Sequence, residues 1–290
     1  IVIVPLGLAC SAALAFLVLR LTRRAGGLKD ELQLALRNGE FEAHYQPTMD
    51  LATGKCIGAE ALIRWKHPEQ GYVRPDLFIA AAEESGLIDP ITQWLMVQVV
   101  RDLGEDLQKR PDIHIGINLA PNQFGSDWLM TTLRNTYRDG FVPPRQIIHE
   151  ATERSMSNGW GGKDGEAERE TAATEPHVVI ERMRSMGFGV ALDDFGTGYS
   201  SLGYLHKFTF DYLKIDASFV RRIGTDSVSA GVIDAIIDIG HTLKMRMIAE
   251  GVETEEQRAF LAKRGVGFAQ GWLFAKAMPA RDFREFLRVN

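Results

Sequence analysis

Cysteine is nearly absent from this chain of 290 residues: its two cysteines, Cys10 and Cys56, stand in unrelated contexts. That argues against both a disulfide framework and a cysteine zinc site. The seven histidines are scattered, with no HExxH and no paired spacing, so nothing indicates a histidine metal centre. An excess of positive charge is missing too. The net charge is −5 and the pI about 5.9, which argues against a surface built for a nucleic acid polymer. No GxGxxG comes after the early strand-like runs, so a Rossmann dinucleotide fold loses its main support.

What is present falls into two parts. Residues 1–19, IVIVPLGLACSAALAFLVL, carry no charge. As a helix this run spans roughly 28 Å, close to the ~30 Å hydrocarbon core of a bilayer. Arg20, Arg23, Arg24 and Lys29 come directly after it. A cleavable signal has its basic residues before the apolar run, so the expectation is a retained transmembrane helix over 1–21 and a juxtamembrane connector over 22–37. The positive-inside rule places the remaining chain in the cytoplasm. The chain opens on Ile1 rather than methionine, which suggests the tail of a longer protein.

From residue 38 onward the elements alternate. FEAHYQPTMD (41–50) and KCIGAEALIRW (55–65) read as strands joined by a short loop, an antiparallel hairpin. Helical patterns at 75–86 and 90–109 precede a strand at 113–120 and a helix around 126–138. A strand at 146–152, a helix at 176–186 and a strand at 189–195 come next. Strands at 212–219, 245–252 and 266–274 then alternate with helices at 227–242, 254–264 and 280–288. The strands are rich in Ile, Val and Ala, as in a parallel sheet covered by helices. Count and length favour an α/β fold of the TIM-like (β/α)8 barrel type over an open doubly wound sheet. One stretch interrupts the alternation. Residues 155–175 are glycine-rich, charged and poor in apolar groups, and read as a dispensable surface insertion.

Polar residues sit inside these apolar strands. They are Glu60, Asn118, Glu150, Asp193, Asp194, Lys214, Asp216, Glu250 and Gln270, nearly all in the second half of their strand. Glu153 and Glu253 lie just outside. In a parallel barrel those ends gather on the face that carries active sites. Any single buried acid is commonly a satisfied hydrogen-bond acceptor. The set is different: Glu60, Glu150, Asp193, Asp194, Asp216 and Glu250 would crowd one mouth against Lys214. Carboxylates that close repel, and desolvation adds to the cost, so some are protonated or divalent cations are present. All-oxygen donors, with the amide of Asn118, suit Mg²⁺ or Mn²⁺ rather than zinc. Two such ions form a clamp for displacing an oxygen at phosphorus, so the residues point to metal-assisted hydrolysis of a phosphate ester. The stretch DDFGTGYSSL (193–202) opens with two of the candidate ligands. It reads either as a tight strand-to-helix turn or as a mobile loop that positions Asp194.

Over residues 33–290 these motifs together resemble the EAL domains, bacterial phosphodiesterases of cyclic di-GMP. The resemblance rests on Tyr45-Gln46-Pro47, Glu60-Ala61-Leu62 with Arg64-Trp65, Asn118-Leu119, Glu150 to Glu153, DDFGTGYSSL, Lys214-Ile215-Asp216, Ala249 to Glu253, and Gln270-Gly271. It implies a (β/α)8-like barrel with one antiparallel strand over 38–290, and hydrolysis of cyclic di-GMP to linear pGpG with two Mg²⁺ or Mn²⁺ ions. Glu60, Asn118, Glu150 and Asp193 would hold one ion, Asp193 bridging to a second served by Asp194. Asp216 and Gln270 would support the metal and water network. Glu250 would be the general base, a role a metal-bound hydroxide beside Lys214 could share, and Lys214 would orient the water or stabilise charge. Gln46, Leu62, Arg64 and Glu253 would contact substrate, and Glu153 would brace the DDFGTG loop. The resemblance also implies a homodimer anchored in the bacterial inner membrane, under a sensor region. Two other readings stay open: a barrel that binds cyclic di-GMP without cleaving it, and an enzyme for another phosphodiester.

Overall fold

Short runs of Ile, Val, Leu and Ala build the strands, and amphipathic segments between them build the helices. The computed structural model describes residues 27–124, 126–152, 155, 176–196, 208–224 and 227–290. The expected transmembrane helix, residues 22–26 of the connector, Glu153, the insertion beyond Ser155 and positions 197–202 lie outside them. Among the described residues no helix is long and apolar enough to cross a membrane.

The strands in chain order are β1 (Phe41–Asp50), β2 (Cys56–His67), β3 (Gly71–Val73), β4 (His114–Leu119), β5 (Ile147–Thr152), β6 (Gly189–Phe195), β7 (Tyr212–Ile215), β8 (Arg246–Ala249), β9 (Phe268–Ala269) and β10 (Met278–Pro279). The helices are α1 over 27–38, α2 (Pro75–Ser85), α3 (Ile88–Lys109), α4 (Asp127–Thr136), α5 (Pro176–Ser185), the single turn α6 (Ala217–Val220), α7 (Ser227–Thr242), α8 (Glu255–Lys263) and α9 (Ala280–Val289). They divide between two compact units, 27–42 with 64–91, and 43–63 with 92–290.

In the smaller unit, α1 buries Leu32 and Ala35, and α2 buries Phe78 and Ala82. The rings of Phe41, Trp65 and Phe78 pack with centroids 6.2, 5.9 and 5.8 Å apart. Trp65 Nε1 donates to Glu40 Oε2 at 3.0 Å, which satisfies its buried polar edge.

In the larger unit the sheet runs β1-β9-β8-β7-β6-β5-β4-β2, and β1 pairs back with β2 to close an eight-stranded barrel. The pairs from β2 through β9 are parallel, whereas β1 is antiparallel to β9 through Met49↔Ala269. This is the expected (β/α)8 barrel with one antiparallel strand. The chain closes against the same strand: β10 pairs with β1 at Tyr45↔Met278, and Tyr45 stacks on Phe283 of α9 at 5.6 Å.

Strand alternation sorts the barrel interior into layers. Ile148, Ala191, Tyr212 and Ile248 form a buried cluster, with Phe268 against it. Two residues further along the chain stand Glu150, Asp193, Lys214, Glu250 and Gln270. The apolar layer is the floor and the polar layer the mouth. Strands expected to run on through the mouth are shorter. β7 stops at Ile215 because the Asp216 side chain caps α6, accepting from Ser218 N at 2.9 Å. β8 ends at Ala249 and β9 at Ala269, since the backbone beyond turns into loops that carry the rim.

Candidate active site

Lys214 is the centre of the mouth. It is 1% exposed, and its Nζ lies 2.5 Å from Glu150 Oε2, 2.6 Å from Glu250 Oε1, 3.3 Å from Asp193 Oδ2 and 3.4 Å from Glu60 Oε2. Burial pulls the Lys214 pKa down, but the carboxylates around it win and hold it well above the ordinary lysine value. The ammonium therefore stays charged, a fixed positive centre rather than a proton acceptor.

The acids respond differently to one shared cation. Burial pushes the Glu250 carboxyl up to about 8, aided by Asp193 and Glu60 and opposed by Lys214. Glu150 is raised well above the carboxylate range, again by burial first, despite its short contact with Lys214. Glu60 goes the other way. Burial opposes ionisation there too, but Lys214, Gln270 and Asn118 outweigh it and lower its pKa. Asn118 Nδ2 donates to Glu60 Oε1 at 2.5 Å, and Gln270 Nε2 donates to Glu60 Oε2 at 2.6 Å and to Glu250 Oε1 at 3.2 Å. The other end of Gln270 accepts from Thr48 Oγ1 at 3.4 Å, a support from β1 that sequence motifs do not reveal.

Local backbone features place these groups. Asn118 and Glu150 are register partners on β4 and β5. Gly116, two residues before Asn118, leaves room for the carboxylate: a Cβ there would stand 2.2 Å from Glu150 Oε1. On β6 the pairing with β7 shifts between Leu192 and Phe195, and Asp194 sits at φ 55°. Adjacent strand residues face opposite ways, and a bulge breaks that rule. Asp193 joins the Lys214 group, while Asp194 N donates back to Asp193 Oδ1 at 2.9 Å. Asp194 has a raised pKa, from burial first and then from the negative charges of Asp193 and Asp216. Two acidic groupings result, one around Lys214 and a smaller one at Asp194 and Asp216.

Above them opens a cavity of about 530 Å³ lined by Gln46, Glu60, Leu62, Asp193, Glu250, Glu253 and Gln270. Arg221 and Trp272 also line it; neither stands out in the sequence, because each lies in a loop or short turn without a distinctive pattern. Arg64 lies on β2 beyond Leu62, in the smaller unit. Glu153 is outside the described residues.

The donor set fits hard divalent cations: carboxylate and amide oxygens on neighbouring strand ends, with more negative charge than Lys214 neutralises. Among the described residues no three acids meet at metal-ligating spacing. Glu60, Glu150, Asp193 and Glu250 are turned onto the Lys214 ammonium.

A parallel barrel with acids and a buried lysine at the C-terminal ends of its strands has the layout of a barrel-enzyme active site. The family model for the EAL domain matches residues 29–277, and the chain belongs to the EAL domain family. It is 40% identical over 279 residues to the "Probable cyclic di-GMP phosphodiesterase PdeB" of Escherichia coli (strain K12), covering 96% of this chain and 51% of that protein. It is 36% identical over 251 residues to the "Cyclic di-GMP phosphodiesterase RocR" of Pseudomonas aeruginosa, covering 87% of this chain and 61% of that one. Among solved structures, "PaMucR Phosphodiesterase, c-di-GMP complex" superposes with a TM-score of 0.78 at 36% identity, covering 89% of this chain and 99% of that chain. The chain spans about half the length of several curated relatives that it matches.

Proposed function

We propose that this chain is a metal-dependent cyclic di-GMP phosphodiesterase that opens one phosphodiester bond to give linear pGpG. The observation that carries the reading is the convergence of Glu60, Glu150, Asp193 and Glu250 on Lys214 at the barrel mouth, with Asn118 and Gln270 fixing Glu60. Relatives named as cyclic di-GMP phosphodiesterases support the substrate.

Glu60, Asn118, Glu150 and Asp193 would hold one Mg²⁺ or Mn²⁺, and Asp193, Asp194 and Asp216 would serve a second. When bound, the ions supply positive charge to the phosphoryl oxygens and acidify water. The chain's own groups do the rest. Glu250 Oε1 is tied to Lys214 and Gln270 at the cavity wall, where it takes the proton of the attacking water. In the metal-free site its proton affinity is raised, the direction that a general base working near neutral pH requires. Lys214 keeps its proton and offsets negative charge as the phosphorus centre gains it. Gln46, Leu62, Arg64 and Glu253 position the dinucleotide, Gln270 steadies the acids, and Glu153 braces the loop after Asp194. The expected transmembrane segment 1–21, uncharged through Leu19, anchors the enzyme in the bacterial inner membrane with the barrel in the cytoplasm. It works as a homodimer under a sensor region.

The test is direct. The detergent-purified chain is incubated with cyclic di-GMP and Mg²⁺ or Mn²⁺, and the nucleotides are separated by chromatography. The parent yields pGpG; Glu60→Ala and Glu250→Gln do not. Tight binding without product in either ion would make the chain a receptor instead.

A further inference from the structure

Gln270 is 5% exposed, and its side-chain amide is engaged at both ends. Nε2 donates to Glu60 Oε2 at 2.6 Å and to Glu250 Oε1 at 3.2 Å, while Oε1 accepts from Thr48 Oγ1 at 3.4 Å. The two ends of an amide are unlike, and only the nitrogen suits the acids. Turned over, the group would present its oxygen to two carboxylates.

The register of β1 brings Thr48 to this place. β1 is antiparallel to β9 through Met49↔Ala269, so the next step along the ladder sets Thr48 beside Gln270. Thr48 is buried and is not among the residues that line the mouth cavity. A hydroxyl buried that deeply needs a partner, and Gln270 Oε1 supplies it. The acids pull on the amide nitrogen from one side alone. Rotation of the amide would let it serve either acid by itself. A donor on the far side removes that freedom, because Oε1 must then stay on Thr48.

We propose that Thr48 is the positioning residue that locks the Gln270 amide, so that Glu60 and Glu250 are held together for the reaction. The assignment rests on the phosphodiesterase reading above. Thr48 acts through Gln270 alone, so its effect belongs in turnover rather than in substrate affinity.

The experiment compares the detergent-purified parent chain with Thr48→Val, Thr48→Ala and Thr48→Ser. Valine keeps the branched shape and removes only the hydroxyl. Without its donor, Gln270 Oε1 is an orphaned buried acceptor, which corresponds to roughly a 5- to 150-fold shift away from the locked amide. The kcat for cyclic di-GMP is expected to fall within that range in Thr48→Val and Thr48→Ala, with KM within about threefold. Thr48→Ser is expected to retain most of the parent kcat. In a Gln270→Met background Thr48→Val has nothing left to unlock and costs no more than about twofold. A role in strand packing alone would lower turnover equally in both backgrounds.

A second readout needs no turnover. With divalent ions chelated, the Gln270 side-chain amide gives its own pair of NMR cross-peaks, assigned by their loss in Gln270→Met. Thr48→Val is expected to move that pair towards the positions of exposed glutamines, and Thr48→Ser to leave it in place. Full kcat in Thr48→Val, a rise in KM alone, Gln270→Met matching the parent, an equal loss in both backgrounds, or unmoved cross-peaks overturns the lock and leaves the phosphodiesterase reading intact. If circular dichroism shows that Thr48→Val does not fold, Thr48→Ala against Thr48→Ser decides by the same criteria. If the parent makes no pGpG, the activity reading fails and the cross-peaks decide the lock: moved, it stands; unmoved, it is overturned.

Discussion

Burial and the Lys214 ammonium pull Glu60, Glu150 and Glu250 in opposite directions, and these three divide according to what else they touch. Glu60 has two amide donors as well as the ammonium and stays ionised, whereas Glu250 has one long amide contact and is pushed up to about 8. The unfolded value of a glutamate is near 4.5. A folded pKa above it means that the folded state holds a proton the unfolded state has released. The contribution is present in full below pH 4.5 and is lost as pH rises towards 8. With divalent metal removed by chelator, the protein is therefore expected to lose stability between pH 5 and about 8.5. Glu250→Gln flattens that part of the profile; urea melts across the range read it directly. A pH profile identical in parent and variant would mean that Glu250 is not the group responsible.

Gly116 makes a residue-scale prediction of a different kind. Adding one methyl group there forces it against Glu150 Oε1. The carboxylate must move, and its contact with Lys214 moves with it. Gly116→Ala is expected to cut cyclic di-GMP turnover more than about tenfold, since small misplacements of catalytic groups are costly. The fold itself should survive, because strand positions tolerate alanine better than glycine. Kinetics paired with circular dichroism separate the two effects.

Each barrel strand carries two messages, one per face. On β5, Glu150 turns inward to Lys214, while its neighbour His149 turns outward against Phe188 at 5.2 Å. His149 is fully buried, neither ring nitrogen has a hydrogen-bond partner, and burial lowers its pKa to about 3. It is a neutral ring carrying an unmet polar cost. His149→Met fills similar space without that cost and is expected to raise stability by roughly 1–2 kcal/mol, measurable as a higher urea midpoint at unchanged slope. A loss of stability would show that the imidazole shape matters more than its unmet nitrogens. The inward face is legible in the sequence as polar residues late in apolar runs. The layering is legible too, as pairs two apart: Ile148 with Glu150, Tyr212 with Lys214, Ile248 with Glu250. Strand ends are less so, because the runs stay apolar past the point where the ladder stops. Asp216 looks like a strand residue and is instead the cap of α6. The bulge that separates Asp193 from Asp194 leaves no mark in composition, since only the backbone at Asp194 departs from the strand. Trp272 is hidden for the same reason: its setting is a loop pinned by close backbone contacts rather than a periodic element.

The larger unit as a whole faces an imbalance of charge. Glu60, Glu150, Asp193 and Glu250 converge on one ammonium inside a barrel whose floor is apolar. Proton uptake by Glu250 and Glu150 is one relief, and a divalent cation is the other. The two compete, because a cation favours the ionised carboxylates that protons would neutralise. If the donor set binds Mg²⁺ or Mn²⁺ in the folded state alone, either ion must raise stability by mass action, about 2.7 kcal/mol at a hundred times its Kd. The melting temperature is then expected to rise with added ion at pH 7.5, and to rise less at pH 5.5, where protons hold the acids. Asp193→Asn removes a charge from the Lys214 group and should blunt the response, while sodium chloride at matched ionic strength should not reproduce it. Calorimetric melts over a concentration series of each ion decide the matter without reference to turnover. A melting temperature indifferent to both ions would remove the metal sites from the mechanism and leave the acids balanced by protons and Lys214 alone.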